Sequence, residues 1–190
     1  MSHTVKVAAV SCAEWAWIES ARYMGETLRD AIGGGAESHV HVPVDRAGLL
    51  SIMGDANYLV VHVHGSPVGL FDQRADGKRT TIATLANIKN FPHFQRLLLV
   101  VMTACSTAGG ENDKNIACEL SRHINPQGLV IANRYDTWGS CFDFGEKNGK
   151  KGWVAYRNGE LLLTEEDFPA AITTADAYRI FTEHCNFLHK

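Results

Sequence analysis

Short apolar runs alternate with segments of helical periodicity along the first two thirds of the chain. This alternation constrains the fold more than any other feature, because one parallel strand can follow another only through a crossover connection. Runs of this kind are typical of buried strands. They cover residues 5–10, 40–44, 58–63, 97–102 and 129–132. The sequence therefore predicts an α/β fold, an αβα sandwich with a mostly parallel central sheet and helices on both faces.

The segments between these runs carry the apolar stripes of amphipathic helices. In residues 17–32, apolar side chains recur at steps of three and four, and the glycines at 33–35 then end the helix. Shorter helices are predicted around residues 47–53, 81–88 and 116–124. These helices account for the connections that a parallel sheet requires.

The pattern changes after the fifth predicted strand. Residues 153–163 are apolar but interrupted by Asn158-Gly159, a strong signal for a β-hairpin. Residues 168–188 form one apolar stripe at helical spacing, which predicts a last amphipathic helix. The predicted organisation is one domain: residues 1–190 overall, about 5–144 for the core sheet, and about 152–188 for the hairpin and C-terminal helix.

Charge and cysteine distribution argue against several classes of protein. The chain has 18 Lys and Arg against 21 Asp and Glu, a formal net charge of −3, and no basic stripe that would bind nucleic acid. No apolar run approaches the ~20 residues of a membrane span, and no signal-peptide pattern is present, so we expect a cytoplasmic protein without a membrane partner. Its 5 cysteines are widely spaced, which disfavours a disulfide framework or a zinc ribbon.

Two predicted strands end in the residue types of a thiol hydrolase. Ligands of an open parallel sheet bind beyond the carboxyl ends of its strands. The third run leads into His64 and Gly65, and the fourth leads into Ala104 and Cys105. If these runs are neighbours, about 4.8 Å apart, the imidazole of His64 and the thiol of Cys105 face one cleft.

These residue types suit acyl transfer. A thiol with an ordinary pKa of about 8.5 is mostly protonated at neutral pH, so it needs a base such as His64 to become a nucleophile. Attack by Cys105 on a peptide creates a tetrahedral oxyanion, which backbone N–H groups stabilise. We expect the amides of Gly65 and Cys105 to be these donors, and protonated His64 to supply the leaving amine with its proton.

An apolar strand ending in His64-Gly65, followed after a helix by one ending in Ala104-Cys105, resembles a clan of cysteine peptidases. The clan includes caspases, gingipains, clostripains, separases and bacterial CHAT-domain peptidases. The resemblance covers roughly residues 5–144. It implies a caspase-like αβα sandwich, endopeptidase activity, catalytic roles for His64 and Cys105, and a protein or peptide substrate. Several members of the clan are activated by a partner or ligand, so the resemblance also implies a possible activating partner.

Within the clan, residues 64–71 and 103–110 look most like CHAT-domain proteins. The chain departs from caspases at Thr103, where caspases have glutamine. Aspartate specificity therefore does not carry over. Some relatives use calcium, but the chain contains no contiguous calcium-binding loop of the EF-hand type, so we predict no cofactor.

Residues past the fifth strand are candidates for substrate binding. Asp136 and Asp143 follow that strand, and an acidic residue binds the basic P1 side chain in related peptidases that prefer arginine or lysine. The resemblance does not fix which aspartate is equivalent, and either can be a loop or capping residue. We predict substrate-binding roles for Asp136, Ser66 and Trp138, and a preference for a basic P1 residue. Trp153 is a candidate for either the pocket wall or the core.

Other interpretations of the same residues remain open. His64 can be a simple strand-end histidine and Cys105 a buried thiol. The spacing of His62 with His64, and of His39 with His41, also occurs in zinc sites, but no cluster of further ligands is evident. We therefore predict no metal site.

The alternative functions follow from these interpretations. One is a catalytically silent caspase-like module that binds a protein partner. Another is a non-peptidase cysteine hydrolase, and a third is a flavodoxin-like nucleotide binder on the same sheet. The last lacks the glycine-rich phosphate loop that such binding uses.

Overall fold

The computed structural model describes residues 4–42, 45–73, 76–110, 113–139, 144–146 and 150–185. The strands are β1 (Lys6–Ser11), β2 (Glu37–His41), β3 (Tyr58–His62), β4 (His64–Ser66), β5 (Gly69–Gln73), β6 (Arg79–Thr84), β7 (Leu99–Met102), β8 (Leu129–Asn133), β9 (Thr137–Gly139), β10 (Phe144–Glu146), β11 (Trp153–Arg157), β12 (Glu160–Leu163) and β13 (Ala171–Ile172). The helices are α1 (Trp15–Ile32), α2 (Arg46–Asp55), α3 (Leu85–Ile88), α4 (Ile116–Ser121) and α5 (Thr174–His184), with a 3-10 turn at Glu165–Asp167.

A seven-stranded sheet in the order β12-β11-β8-β7-β3-β1-β2 organises the structure. The five strands from β8 to β2 are parallel, as predicted. The predicted hairpin is β11–β12, and it joins β8 in antiparallel fashion at one edge. Asn158 (φ 48°) and Gly159 (φ 80°) form its turn, and positive φ at both positions is what a type I′ hairpin turn requires.

Helices cover both faces of the sheet. Successive residues of each strand point to opposite sides, so the apolar strands present side chains on both faces for helices to bury. Val60 packs in a cluster with the apolar faces of α1 and α5. Its neighbour Val61 packs in a second cluster with α2, α3 and α4. The αβα sandwich is therefore confirmed. In the part of the chain that the structure describes, no helix has both the length and the apolar character to cross a membrane.

One predicted helix is wrong. Residues 81–84, the first half of the helix expected at 81–88, belong instead to β6, and the helix is reduced to the single turn α3. The Thr-rich, β-branched run in this segment favours a strand, and β5 offers a partner for it. A small meander, β4-β5-β6, thus follows β3 directly.

Three element boundaries also differ from the prediction. The strand expected at 40–44 is β2, which spans Glu37–His41 and so begins three residues earlier than predicted. The helix expected to reach residue 124 ends at Ser121, and Ile124 instead bridges to Phe94. The C-terminal helix, expected from residue 168, begins only at Thr174, because Thr173 and Asp176 form a capping box before it.

Candidate active site

The strands that lead to the two predicted catalytic residues are neighbours. β3 pairs with β7 in parallel register, with Val61 opposite Met102. Beyond the last pair, the amide of Thr103 donates a hydrogen bond to the carbonyl of Val61 at 3.1 Å. The carboxyl ends of both strands therefore lie side by side. From that edge, β3 leads into the segment that carries His64, and β7 leads into the segment that carries Cys105.

The two segments touch at Gly65. A Cβ atom built at this position would lie 2.7 Å from the carbonyl oxygen of Cys105, 2.8 Å from the Cβ of Ala104 and 2.8 Å from the Cγ2 of Thr107. None of these atoms lies at the end of a flexible side chain. Glycine is therefore required here by the close approach of β4 to the segment that follows β7.

A sharp turn presents Cys105 at the end of β7. Ser106, the next residue, has a positive φ of 52°, which costs energy for a non-glycine residue and is enriched at functional sites. The turn is fixed by a hydrogen bond from the Ser106 amide to the carbonyl of Tyr135 at 2.8 Å. In the ranges that the structure describes, the amide of Cys105 donates to no other residue. This N–H is therefore free to bind a substrate oxygen.

The thiol of Cys105 is half-buried against Thr137. Its Sγ lies 3.7 Å from the carbonyl oxygen of Thr137 and 3.8 Å from its Oγ1. The Thr137 hydroxyl donates in turn to the carbonyl of Thr103 at 2.5 Å. Sequence reasoning missed Thr137, since it lies in β9, and nothing in its spacing from Cys105 indicates this contact.

His64 is half-buried in a mixed aromatic and charged setting. Its ring centroid lies 4.6 Å from that of Trp17, with the ring planes tilted by 48°. Burial lowers the pKa of His64 below its ordinary value, and the nearby Arg79 guanidinium lowers it further, against the opposing charges of Glu14 and Asp72. His64 is therefore largely neutral at pH 7, the state in which a histidine accepts a proton.

Arg79 is held near His64 by an aromatic contact. Its guanidinium lies 3.5 Å from the ring centroid of Phe71, and Phe71 is the cross-strand partner of His64. A cation over an aromatic face is attracted to the ring by its quadrupole. The positive charge is thereby fixed close to the imidazole.

The other histidine of β3 is tied to the segment that follows β7. Nδ1 of His62 lies 2.8 Å from the hydroxyl of Thr103, and that hydroxyl donates to the carbonyl of Val61 at 3.3 Å. Thr103 can therefore accept a hydrogen bond from a protonated Nδ1. Burial lowers the pKa of His62 to about 4, so this ring is neutral at physiological pH.

Of the cysteines in the described ranges, Cys105 is the one that is not buried. Burial raises the pKa of Cys12 to about 11, and it also raises the pKa values of Cys118 and Cys185. These thiols are poor nucleophiles at neutral pH. Cys141 lies outside the described residues.

The predicted substrate-binding residues fall in different surroundings. Asp136 is exposed, and its Oδ1 accepts a hydrogen bond from the Ser106 hydroxyl at 2.7 Å, one residue from Cys105. The Ser66 hydroxyl accepts a hydrogen bond from the amide of Val68 within the β4–β5 turn, at 3.3 Å. The backbone of Trp138 lies in β9, and its side chain lies outside the described part of the structure, as does Asp143. Trp153 is a buried core residue of β11.

No group of three or more metal-binding side chains is found among the described residues. His39 Nε2 lies 3.6 Å from a carboxylate oxygen of Glu37. Both His39 and His41 line a cavity of about 620 Å³ between β2 and α2. None of the residues that line this cavity belongs to the predicted catalytic set.

No family model matches the chain, and no curated protein matches it. The chain is similar to a solved structure described as "Structure of Protease", with a TM-score of 0.48 and 15% sequence identity. The match covers 72% of this chain and 30% of that one, so the chain spans less than a third of that protein's length.

Proposed function

We propose that the protein is a cysteine endopeptidase of the caspase-like clan, with Cys105 as nucleophile and His64 as general acid and base. The observation that carries the proposal is the contact at Gly65, which joins the segment bearing His64 to the backbone of Cys105. Two further observations support it. Cys105 is a half-buried thiol among buried ones, and His64 has a lowered pKa.

The proposed reaction has two stages. His64 removes the proton of the Cys105 thiol, and the thiolate attacks the carbonyl carbon of the peptide. The oxyanion receives hydrogen bonds from the amides of Gly65 and Cys105. The C–N bond then breaks, the amine leaves with the proton from His64, and a thioester remains. In the second stage, His64 takes a proton from water, which attacks the thioester and releases the acid and the Cys105 thiol.

Thiol alkylation tests the proposal. On treatment with iodoacetamide at pH 7, we expect Cys105 to be modified at least about tenfold faster than Cys12, Cys118 and Cys185, because a thiol reacts as its thiolate and those thiols are buried with raised pKa values. Cleavage of a broad peptide mixture should be lost in step with the modification of Cys105. Both quantities are read by mass spectrometry on the same samples.

The buried cysteines are internal controls for this experiment. Cleavage that persists after complete modification of Cys105 would contradict the proposal. A wild-type chain that cleaves no peptide, with or without calcium, would favour the silent binding module instead.

Asp136 is proposed to select a basic P1 residue. Its carboxylate is exposed and reaches the Cys105 segment through the Ser106 hydroxyl. In Asp136→Asn, the amide oxygen can still accept from Ser106, but the negative charge is lost. We therefore expect the preference for arginine or lysine over neutral P1 residues to fall by about tenfold, the worth of one charged hydrogen bond.

The readout for Asp136 is kcat/KM on matched peptides that differ only at P1. Asp30→Asn, a change to an exposed aspartate at the end of α1, is the control and should leave the preference unchanged. An unaltered preference in Asp136→Asn would remove Asp136 from the proposed pocket.

A further inference from the structure

Trp17 lies in the first turn of α1, and that turn is fixed to the meander that carries His64. The amides of Trp17 and Ile18 donate to the carbonyl of Glu14 at 3.0 and 3.1 Å, which closes the turn. Just before it, the amide of Ala13 donates to the Oδ1 of Asp72 at 3.2 Å. Asp72 is buried and belongs to β5, the strand that pairs with β4.

The indole of Trp17 contacts two histidines. Its ring centroid lies 4.6 Å from that of His62, with an interplanar angle of 35°, and 4.6 Å from that of His64, with an angle of 48°. Trp17 is itself half-buried and packs against the core cluster beneath α2 and α3. Its ring is therefore a fixed surface on which the imidazole of His64 rests.

A histidine that serves as a general base is usually oriented by a hydrogen bond to its second ring nitrogen. Over the ranges that the structure describes, the ring nitrogens of His64 have no hydrogen-bond partner. An imidazole without such a partner can rotate about its side-chain torsions. The contact with Trp17 is the one ring contact of His64 in the same ranges.

We propose that Trp17 is the positioning residue for His64, holding the imidazole by ring contact where a cysteine–histidine pair ordinarily uses a hydrogen bond. The inference rests on the proposed function for its catalytic consequence, but the ring contact itself does not. Trp17 also contacts His62, whose Nδ1 meets the Thr103 hydroxyl. A continuous series of contacts thus joins the His64 ring to the strand end that carries Cys105.

Two measurements on the full chain test this role. The first is the NMR signal of the His64 ring, assigned by its disappearance in His64→Gln. In the wild type, it should carry an upfield ring-current shift, and Trp17→Leu should abolish that shift. The second is peptide cleavage. Trp17→Leu should lower kcat by about tenfold or more, with KM within about twofold, because a misplaced general base impairs the chemical step.

Matched variants separate position from folding. Trp15→Leu alters a tryptophan two residues away that is 75% exposed, and it should change neither readout. Trp17→Phe keeps a smaller ring, so the His64 signal should move only partway and kcat should stay within about threefold of the wild type. If Trp17→Leu does not fold, the shift of the His64 ring signal in Trp17→Phe tests the role of Trp17 instead.

An unmoved His64 signal in the folded Trp17 variants would overturn the inference, as would a kcat for Trp17→Leu equal to that of Trp15→Leu. A wild-type chain without peptidase activity would overturn the proposed function instead. In that case the NMR arm alone determines whether Trp17 positions His64.

Discussion

Peptide cleavage is expected to fall by about a thousandfold or more in Cys105→Ala, and by at least about a hundredfold in His64→Ala. The first variant removes the nucleophile, and the second removes a general acid and base whose contribution is typically 10²–10⁴-fold. Because the two residues act as a unit, the double variant should be about as inactive as Cys105→Ala alone. The measurement is kcat/KM on a peptide cleaved by the wild type.

Control variants for this pair are available elsewhere in the chain. His39→Ala changes an exposed histidine on β2. Cys118→Ser retains a donor to the carbonyl of Gly159, which lies 3.4 Å from its Sγ. Both should keep close to wild-type activity. Full activity in Cys105→Ala would contradict the proposed nucleophile, and full activity in His64→Ala would contradict the proposed base.

The pH profile of the wild type gives a further check on His64. Its pKa is lowered by burial and by Arg79, so His64 stays a neutral base at pH values below the ordinary histidine pKa of about 6.5. Activity should therefore be retained as the pH falls through that value, and it should be lost only when the pH passes through the lowered pKa. An acid limb above pH ~6.5 would contradict this assignment.

The sheet and the two strand ends could be predicted because their signals are local. An apolar run and the polar residue that ends it are adjacent in sequence, and β3 and β7 take up the expected positions. The β11–β12 hairpin was predictable for the same reason, since Asn158-Gly159 specifies its turn. That β3 and β7 are neighbours could also be predicted, because strands joined by one crossover connection usually lie side by side in a sheet.

The surroundings of the site depend on contacts between distant segments. Thr137 meets the thiol of Cys105 across 32 residues, and Trp17 meets His64 from another layer of the sandwich. Apolar spacing placed Trp17 on the same stripe of α1 as Ala21, Met24 and Leu28, but Trp17 packs against a different core cluster from theirs. Spacing also cannot tell which ring it meets. The meander β4-β5-β6 was missed because short segments of this kind fit a helix and a strand equally well until pairing with β5 decides between them.

Gly65→Ala is expected to lower kcat/KM by about a hundredfold or more while the chain remains folded. The added methyl would meet the Cys105 carbonyl oxygen at 2.7 Å and the Ala104 Cβ at 2.8 Å. Since neither atom can rotate away, β4 and the Cys105 segment must move apart. That movement displaces the proposed oxyanion donors, and loss of one such donor typically costs 10²–10³-fold in rate.

The same displacement should cost stability, about 1–3 kcal/mol for an overpacked position, so activity is measured well below the melting temperature of the variant. Gly54→Ala is the matched control, because a Cβ at Gly54, on α2, meets nothing within 4 Å. Alanine also has a higher helix propensity than glycine. Gly54→Ala should leave activity unchanged and stability unchanged or slightly raised. If Gly65→Ala retains wild-type kcat/KM, the contact between the two segments does not set the geometry of the reaction. The contact at Gly65 then no longer supports the proposed function.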